Sequence, residues 1–375
     1  KANLNQIAER LTEIGLEVEN IKSSNDNLDN FIVCKIIKSQ KHPNADKLKL
    51  CDVDIGSGNL VKVVCGAQNA RDGLFAVYAP PGAVIPKTNM KLKVAKIRGI
   101  ESCGMLVSEK EMGLSNEHET IIEIGQKFKV GDLFSEIYGF NDPVIEINIT
   151  PNRPDCLSVR GIARDLAAAG IGNLKKFEIK KIQGTFKSPI KWQRKFKKHE
   201  EKLCSGVSGR LFKNVQNVES PEWLKNKLLA IGLRPISALV DITNYITIDL
   251  GRPLHVYDAD KLEGNLSMRL AKDGERCKTL DEKEYILSND MVVIADDNKL
   301  HGIGGVMGGL DSGCLIDTTN VFLEVALFDP ISVTKTGRKI NLQSDARFRF
   351  ERGIDSTSID WGVDKATEII LNLCG

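Results

Sequence analysis

No apolar run in this sequence approaches the length of a membrane span, so no transmembrane helix is expected. Paired cysteines are missing as well: the nine cysteines stand singly, none as CxxC, and their number is odd. That argues against a disulfide frame or a cysteine zinc site and for core thiols in a reducing compartment, read here as cytoplasmic. No second His or Cys lies at ligand spacing from His255, and no metal site is expected. An excess of one charge is lacking: 52 Lys and Arg against 50 Asp and Glu leave a net charge of +2. Any nucleic-acid affinity must therefore come from local basic patches. There is no signal peptide, and the helical pattern already running at Lys1 leads us to expect residues upstream.

What is present is enough for a large core. The chain has 375 residues, 42% hydrophobic and 27% charged, which is the length of two or three domains. Leu4, Ile7, Ala8, Leu11 and Ile14 recur at helical spacing and stop before Gly15. LEVENI reads as a strand, and Ser23 to Asn30 as a polar linker. From Phe31 short β runs separated by turn residues suit a small barrel. EINITPNRPDCLSVRGIARDLAAAG reads as strand, turn and helix, with Ile162, Leu166 and Ala169 on the apolar face. The basic run from Lys175 to Lys202 reads as a solvated interdomain surface. From Cys204 onward helices and strands mix without a βαβ rhythm, an α+β pattern, with a helix opening at Ser220-Pro221.

In the barrel segment Lys41, Lys47, Lys49 and Lys62 suit a basic face around the His42–Asp46 turn. VVCGAQNAR puts Asn69 and Arg71 in a glycine-opened loop, and Lys93, Lys96 and Arg98 follow in KVAKIRG. Such a surface fits an RNA backbone or an exposed base, or is an ordinary charged exterior.

In the third segment DITNYITIDLGRPLHVYDADKL brings Thr243, Asn244 and His255 into one stretch. Alone, His255 reads as a structural histidine or as a base of near-neutral pKa. Thr243 and Asn244 read as a helix cap or turn, or as donors to a water or an ester carbonyl. Glu324 sits among apolar residues in NVFLEVALF. It is either a strand residue facing solvent, one paired with an arginine such as Arg338, or a buried acceptor. GIGGVMGG, Gly302 to Gly309, is not a phosphate loop, because no Lys-Ser/Thr follows. It is either close β packing or backbone opened to a ligand, and Met307 within it reads as core. No Ser-His-Asp or Cys-His set is found.

HPNADKLKLCDVDIG, VVCGAQNAR, APPGAVIP and AKIRGIESCGMLVSEKEMGL, in that order, closely resemble the tRNA-binding OB-fold module of synthetase subunits and associated factors. NITPNRPDCLSVRGIARDLAA, GLRPISALVDITNYITIDLGRPLHVYDADKL, GIGGVMGG, FLEVALFDP and SDARFRFERGID resemble the N-terminal part of the bacterial phenylalanyl-tRNA synthetase β subunit family. The resemblance implies a multidomain α+β protein. An OB-fold β-barrel (31–140) would be inserted in a small α/β N-terminal piece (1–30 and 141–200), followed by an α+β B3/B4 editing domain (201–375).

It further implies hydrolysis of tyrosine mischarged on tRNA(Phe), with His255, Asn244 and Thr243 as catalytic residues. Glu324 would read the phenol, and Gly305 and Gly308 would line the pocket. Lys47, Lys49, Asn69, Arg71, Lys96 and Arg98 would touch tRNA. Implied partners are tRNA(Phe) and the α subunit of an α2β2 heterotetramer, with no membrane. No cofactor is implied for this segment; ATP and Mg2+ serve the whole ligase. Gly304, Arg252 and His301 depart from the family pattern, with alanine common at the first and glutamine at the second. The alternatives are a tRNA-binding or assembly module with a decayed pocket, or an unrelated esterase or peptidase with an OB appendage.

Overall fold

The structure, a computed structural model, describes residues 2–22, 28, 30–114, 117–125, 128–137 and 143–375. The expected linker at 23–30, apart from Leu28 and Asn30, and the expected boundary at 140–141 lie outside the described residues. Two compact units result. One comprises Lys1–Glu19, Ile147–Leu228 and Pro235–Gly375; the other comprises Asn20–Glu146 and Leu229–Arg234.

In the second unit β1 (Ile32–His42), β2 (Ala45–Asp54), β3 (Leu60–Cys65), β4 (Phe75–Ala79) and β5 (Met105–Leu106) form an antiparallel sheet. Its order is β5-β4-β1-β2-β3. Successive residues of a strand point to opposite faces. Val33 accordingly packs with Phe31, Val77, Ile85 and Phe134, while Cys34 and Ile36 pack with Cys51, Val53, Val63 and Tyr78. Among the described residues the hydrogen-bonded order is open, where the sequence leads us to expect a closed barrel. Around and after Ile85 the chain makes short hairpins, Val84–Ile85 with Met90–Lys91 and Ala95–Ile97 with Ile100–Ser102, the second tied to β3 where Cys103 N donates to Lys62 O at 2.9 Å. The tight turn of the second puts Arg98 and Gly99 at φ 49 and 95.

The first unit carries β6 (Trp192–Lys195), β7 (Cys204–Phe212), β8 (His255–Asp258), β9 (Leu266–Leu270), β10 (Val292–Ala295), β11 (Leu300–Ile303), β12 (Met307–Gly308) and β13 (Val321–Phe328). Five of them form a sheet in the order β6-β9-β10-β11-β12, and three form a second sheet in the order β7-β13-β8. In the first sheet β6 and β9 pair in parallel; the other neighbours are antiparallel. All eight residues of β13 are buried. It is a central strand covered on both faces, which is why its sequence is a continuous apolar run broken only by Glu324.

Helices α1 (Leu4–Glu13), α2 (Val159–Ala168), α3 (Ala238–Leu250), α4 (Pro330–Lys339), α5 (Asp345–Phe350) and α6 (Ser358–Cys374) complete this unit. α1 buries Ala8 and Leu11 and is opened by a capping box from Asn3 to Gln6. α6 packs on β7 and β13, where Arg210 donates to Thr367 at 3.0 Å. α3 has no exposed residue and ends at Gly251, whose φ of 70 favours glycine. Pro253 then starts the extended lead into β8.

Candidate active site

Register brings the first two site residues together. His255 on β8 lies directly opposite Glu324 on β13. Residues two apart on a strand share a face, so Tyr257 joins His255; their rings meet edge to face at 4.5 Å. His255, Tyr257, Glu324, Gly305, Met307 and Gly308 line one cavity, with Ala326, Phe328 and Phe350 among its apolar walls. Its volume is about 80 Å3. A cavity of about 150 Å3 is known to take benzene, so admission of an aromatic ring requires side chains to move. Met307, unbranched and only half-buried, is suited to that.

The glycines are there for space. A Cβ on Gly308 would stand 2.4 Å from His255 Cε1 and 2.6 Å from Nε2. One on Gly305 would meet Val333 at 2.7 Å, and the backbone there has a φ of 70. A Cβ on Gly304 would lie 2.8 Å from both Phe328 and Val292.

Glu324 does not face solvent. Only 6% of its surface is exposed, and Arg338 is exposed on α4 rather than paired with it. Tyr257 donates its phenol O–H to Glu324 Oε2. Burial pushes the Glu324 carboxyl up to about 7, against the Tyr257 hydrogen bond and the charge of Arg252, which both pull it down. Burial, with a smaller push from His301, takes His255 down to about 4, so its imidazole is neutral at pH 7. His255 Nε2 is buried and has no hydrogen-bond partner among the described residues. An unmet ring nitrogen is able to accept a hydrogen bond from a ligand.

Around the cavity stand two further buried groups. Arg252 is fully buried, donates through Nη2 to Ala326 O, and lies 5.8 Å over the Phe350 ring. Among the described residues its Nε and Nη1 have no partner, and burial lowers its pKa to about 10. His301 Nε2 is 2.6 Å from Asp296 Oδ2, with both side chains fully buried.

Thr243 and Asn244 are not brought to the cavity: neither is among its lining residues. Both lie within α3, and the Thr243 hydroxyl donates to Val240 O at 2.7 Å, as a helical threonine bonds its own preceding turn. Their reading as a carbonyl clamp therefore rests on the resemblance and not on this cavity's lining.

Of the six expected RNA contacts, three are engaged inside the second unit. Lys49 Nζ donates to Gln68 O and Ala70 O at 2.9 and 2.6 Å. Asn69 bridges Ile121 and Glu123, and Arg71 forms a two-pronged pair with Glu123. Lys47, Lys96 and Arg98 are exposed. The turn before β2 and the hairpin that carries Lys96 and Arg98 are tied together. His42 Nε2 meets Ile97 O at 3.3 Å, and Asn44 Nδ2 donates to Arg98 O at 3.2 Å. Lys41 and Lys62 are exposed on the same unit.

Among the described residues one group stands at metal-ligand spacing, Asp155, Cys156 and Asp165. Arg153 and Arg164 pair with both carboxylates, and the Arg153 hydrogen bond holds Asp155 down at about 2. Two cations against two carboxylates make this an ion-pair knot. Among the described residues no helix is long and apolar enough to cross a membrane.

Residues 203–375 match the B3/4 domain family, and residues 31–133 match the family described as putative tRNA binding domain. The "Phenylalanine--tRNA ligase beta subunit" of Mesorhizobium japonicum is 51% identical over 375 residues, 100% of this chain and 46% of that protein. That of Paramagnetospirillum magneticum is 51% identical over 374 residues, 100% of this chain and 47% of that protein. The chain thus spans a little under half the length of these relatives. A solved N-terminal fragment of the phenylalanyl-tRNA synthetase beta-subunit from Pyrococcus horikoshii is 18% identical. It covers 51% of this chain and 59% of that chain at a TM-score of 0.28, too distant to carry an argument.

Proposed function

From a chain that belongs with the phenylalanine–tRNA ligase beta subunits and carries their B3/4 and tRNA binding domains, we propose that it binds tRNA and hydrolyses the ester of tyrosine mischarged on tRNA(Phe). The observation that carries this reading is the buried Glu324 carboxyl opposite His255 in one cavity, already holding a phenol, that of Tyr257. A phenylalanine pocket rejects an added hydroxyl only by about a hundredfold. A second pocket must therefore welcome that hydroxyl. A phenylalanine ring leaves the buried acceptor short of a partner, at a cost of about 1–3 kcal/mol, or one to two decades of preference.

In the reaction, neutral His255 takes a proton from water as the water oxygen attacks the ester carbonyl. The C–O bond to the ribose breaks, and the imidazolium returns the proton to the ribose oxygen. Tyrosine and free tRNA leave. Gly305 and Gly308 leave room for the ligand beside the imidazole. Lys47, Lys96 and Arg98 supply backbone contacts on an OB-fold tRNA-binding unit. The partners on this reading are tRNA(Phe) and an α subunit in an α2β2 assembly. ATP and Mg2+ belong to aminoacylation by that whole assembly.

A binding or assembly role alone is the second reading. It is favoured by the position of Thr243 and Asn244 outside the cavity and by the cavity's small volume. A deacylation time course with the purified chain and Tyr-tRNA(Phe) separates the two. We expect hydrolysis that falls about a hundredfold in His255→Ala. A Glu324→Ala chain that still clears tyrosine at the wild-type rate refutes the recognition role.

A further inference from the structure

We propose that Tyr257 is a positioning residue that sets the preference of this site for tyrosine over phenylalanine: its phenol holds Glu324 by Oε2 and so orients the carboxyl toward the phenol of the ligand. The inference rests on the proposed editing reaction for its substrate, and on the structure for its geometry.

A carboxylate buried on a central strand has to be held in its charged state by something. Two groups pull Glu324 toward its charged form against the larger effect of burial. Arg252 supplies positive charge from the loop before β8, with two of its nitrogens unpartnered among the described residues. Tyr257 supplies the hydrogen bond, and does so from the same face and strand as His255. The other titratable groups around the pair are His255 itself, Cys204 on β7, Cys277 near Tyr257, and His301 across the Tyr257 ring at 6.2 Å. Among the described groups, Tyr257 donates the hydrogen bond to the carboxyl.

The arrangement has a direct consequence for selectivity. A neutral carboxylic acid can itself donate, and so discriminates less sharply between a phenol and an empty position. An ionised carboxylate only accepts. A phenol that fixes one oxygen and favours the charged form leaves the other oxygen with a single kind of demand, an O–H donor. Tyr257 is itself such a donor, so the carboxyl already accepts one phenol within the fold.

The test uses the full chain with glutamate carboxyls labelled with carbon-13, the Glu324 resonance being identified by its loss in Glu324→Gln. In the wild type its titration midpoint is expected near 7. Tyr257→Phe removes one hydroxyl and keeps the ring. It should raise the midpoint by about one pH unit and lower the ratio of Tyr-tRNA to Phe-tRNA hydrolysis at pH 7.5 about tenfold. Biosynthetic replacement of tyrosine by 3-fluorotyrosine, a stronger O–H donor of nearly the same shape, should move the midpoint down in a chain that keeps every ring. A midpoint unmoved by both changes overturns the inference, as does a moved midpoint with an unchanged ratio. A wild-type chain that hydrolyses neither ester counts against the editing reading instead, and the titration still reports on Tyr257.

Discussion

His255 and Glu324 occupy opposed positions on neighbouring antiparallel strands, so one backbone register delivers an imidazole and a carboxyl to the same cavity. Burial moves them in opposite directions, His255 down to about 4 and Glu324 up to about 7. At neutral pH the imidazole is free to take a proton and the carboxyl is close to its own midpoint.

Stability should register the Glu324 shift with a definite sign. A carboxyl raised from 4.5 to about 7 binds its proton more tightly folded than unfolded. Its favourable contribution is complete below pH 4.5 and is lost as pH rises through 7. Glu324→Gln should gain on the order of 3 kcal/mol relative to the wild type between pH 4.5 and 8. Urea unfolding of both chains at the two pH values measures this.

His255 predicts the opposite slope. Its folded pKa lies below the usual 6.5, so stability is lost as pH falls from 6.5 towards 4. His255→Gln should flatten this loss in thermal unfolding followed across that window. The hydrolytic rate of the wild type should show no break from imidazole protonation above pH 5.

Gly308→Ala places a methyl group within 2.4 Å of the His255 ring. Ring and strand cannot both stay. We expect about tenfold slower Tyr-tRNA hydrolysis and a destabilisation of roughly 1–3 kcal/mol, read by deacylation rate and chemical denaturation.

Thr243→Val tests the carbonyl-clamp reading. The hydroxyl bonds to the α3 backbone and does not line the cavity. On that geometry hydrolysis should stay within about twofold of wild type. A loss of about a hundredfold would give Thr243 a part in handling the carbonyl.

On the RNA side, Lys96→Ala with Arg98→Ala should weaken tRNA binding and reduce the slope of log affinity against log salt by about 1 to 2. Lys49→Ala should instead destabilise the second unit, since that amine donates to two backbone carbonyls. Filter binding at several salt concentrations, with a melting curve for each variant, distinguishes them.

Much of this site is written locally. The apolar run around Glu324 marks a central strand, and the glycines of 302–309 mark close packing. The i, i+2 spacing of His255 and Tyr257 is itself a signal, since on a strand it forces both onto one face. What linear reading missed is the partner of that face. The phenol of Tyr257 reaches Glu324 across 67 positions of chain, and only strand register reveals it. Thr243 and Asn244 stand near His255 in sequence but on a different element, since Gly251 ends their helix before β8 begins. Lys49 and Arg71 look like free cations in a string of letters, whereas carbonyls and Glu123 had already claimed them.

The first unit is assembled from three separate stretches, the earliest ending at Glu19 and the next starting at Ile147. During synthesis the helix Leu4–Glu13 therefore leaves the ribosome long before the residues that cover Ala8 and Leu11 exist. At about 5–20 residues per second, its greasy stripe waits roughly 6 to 26 seconds for them. Holdase chaperones have that interval in which to find it, and a nascent chain stalled before Ile147 leaves it bare.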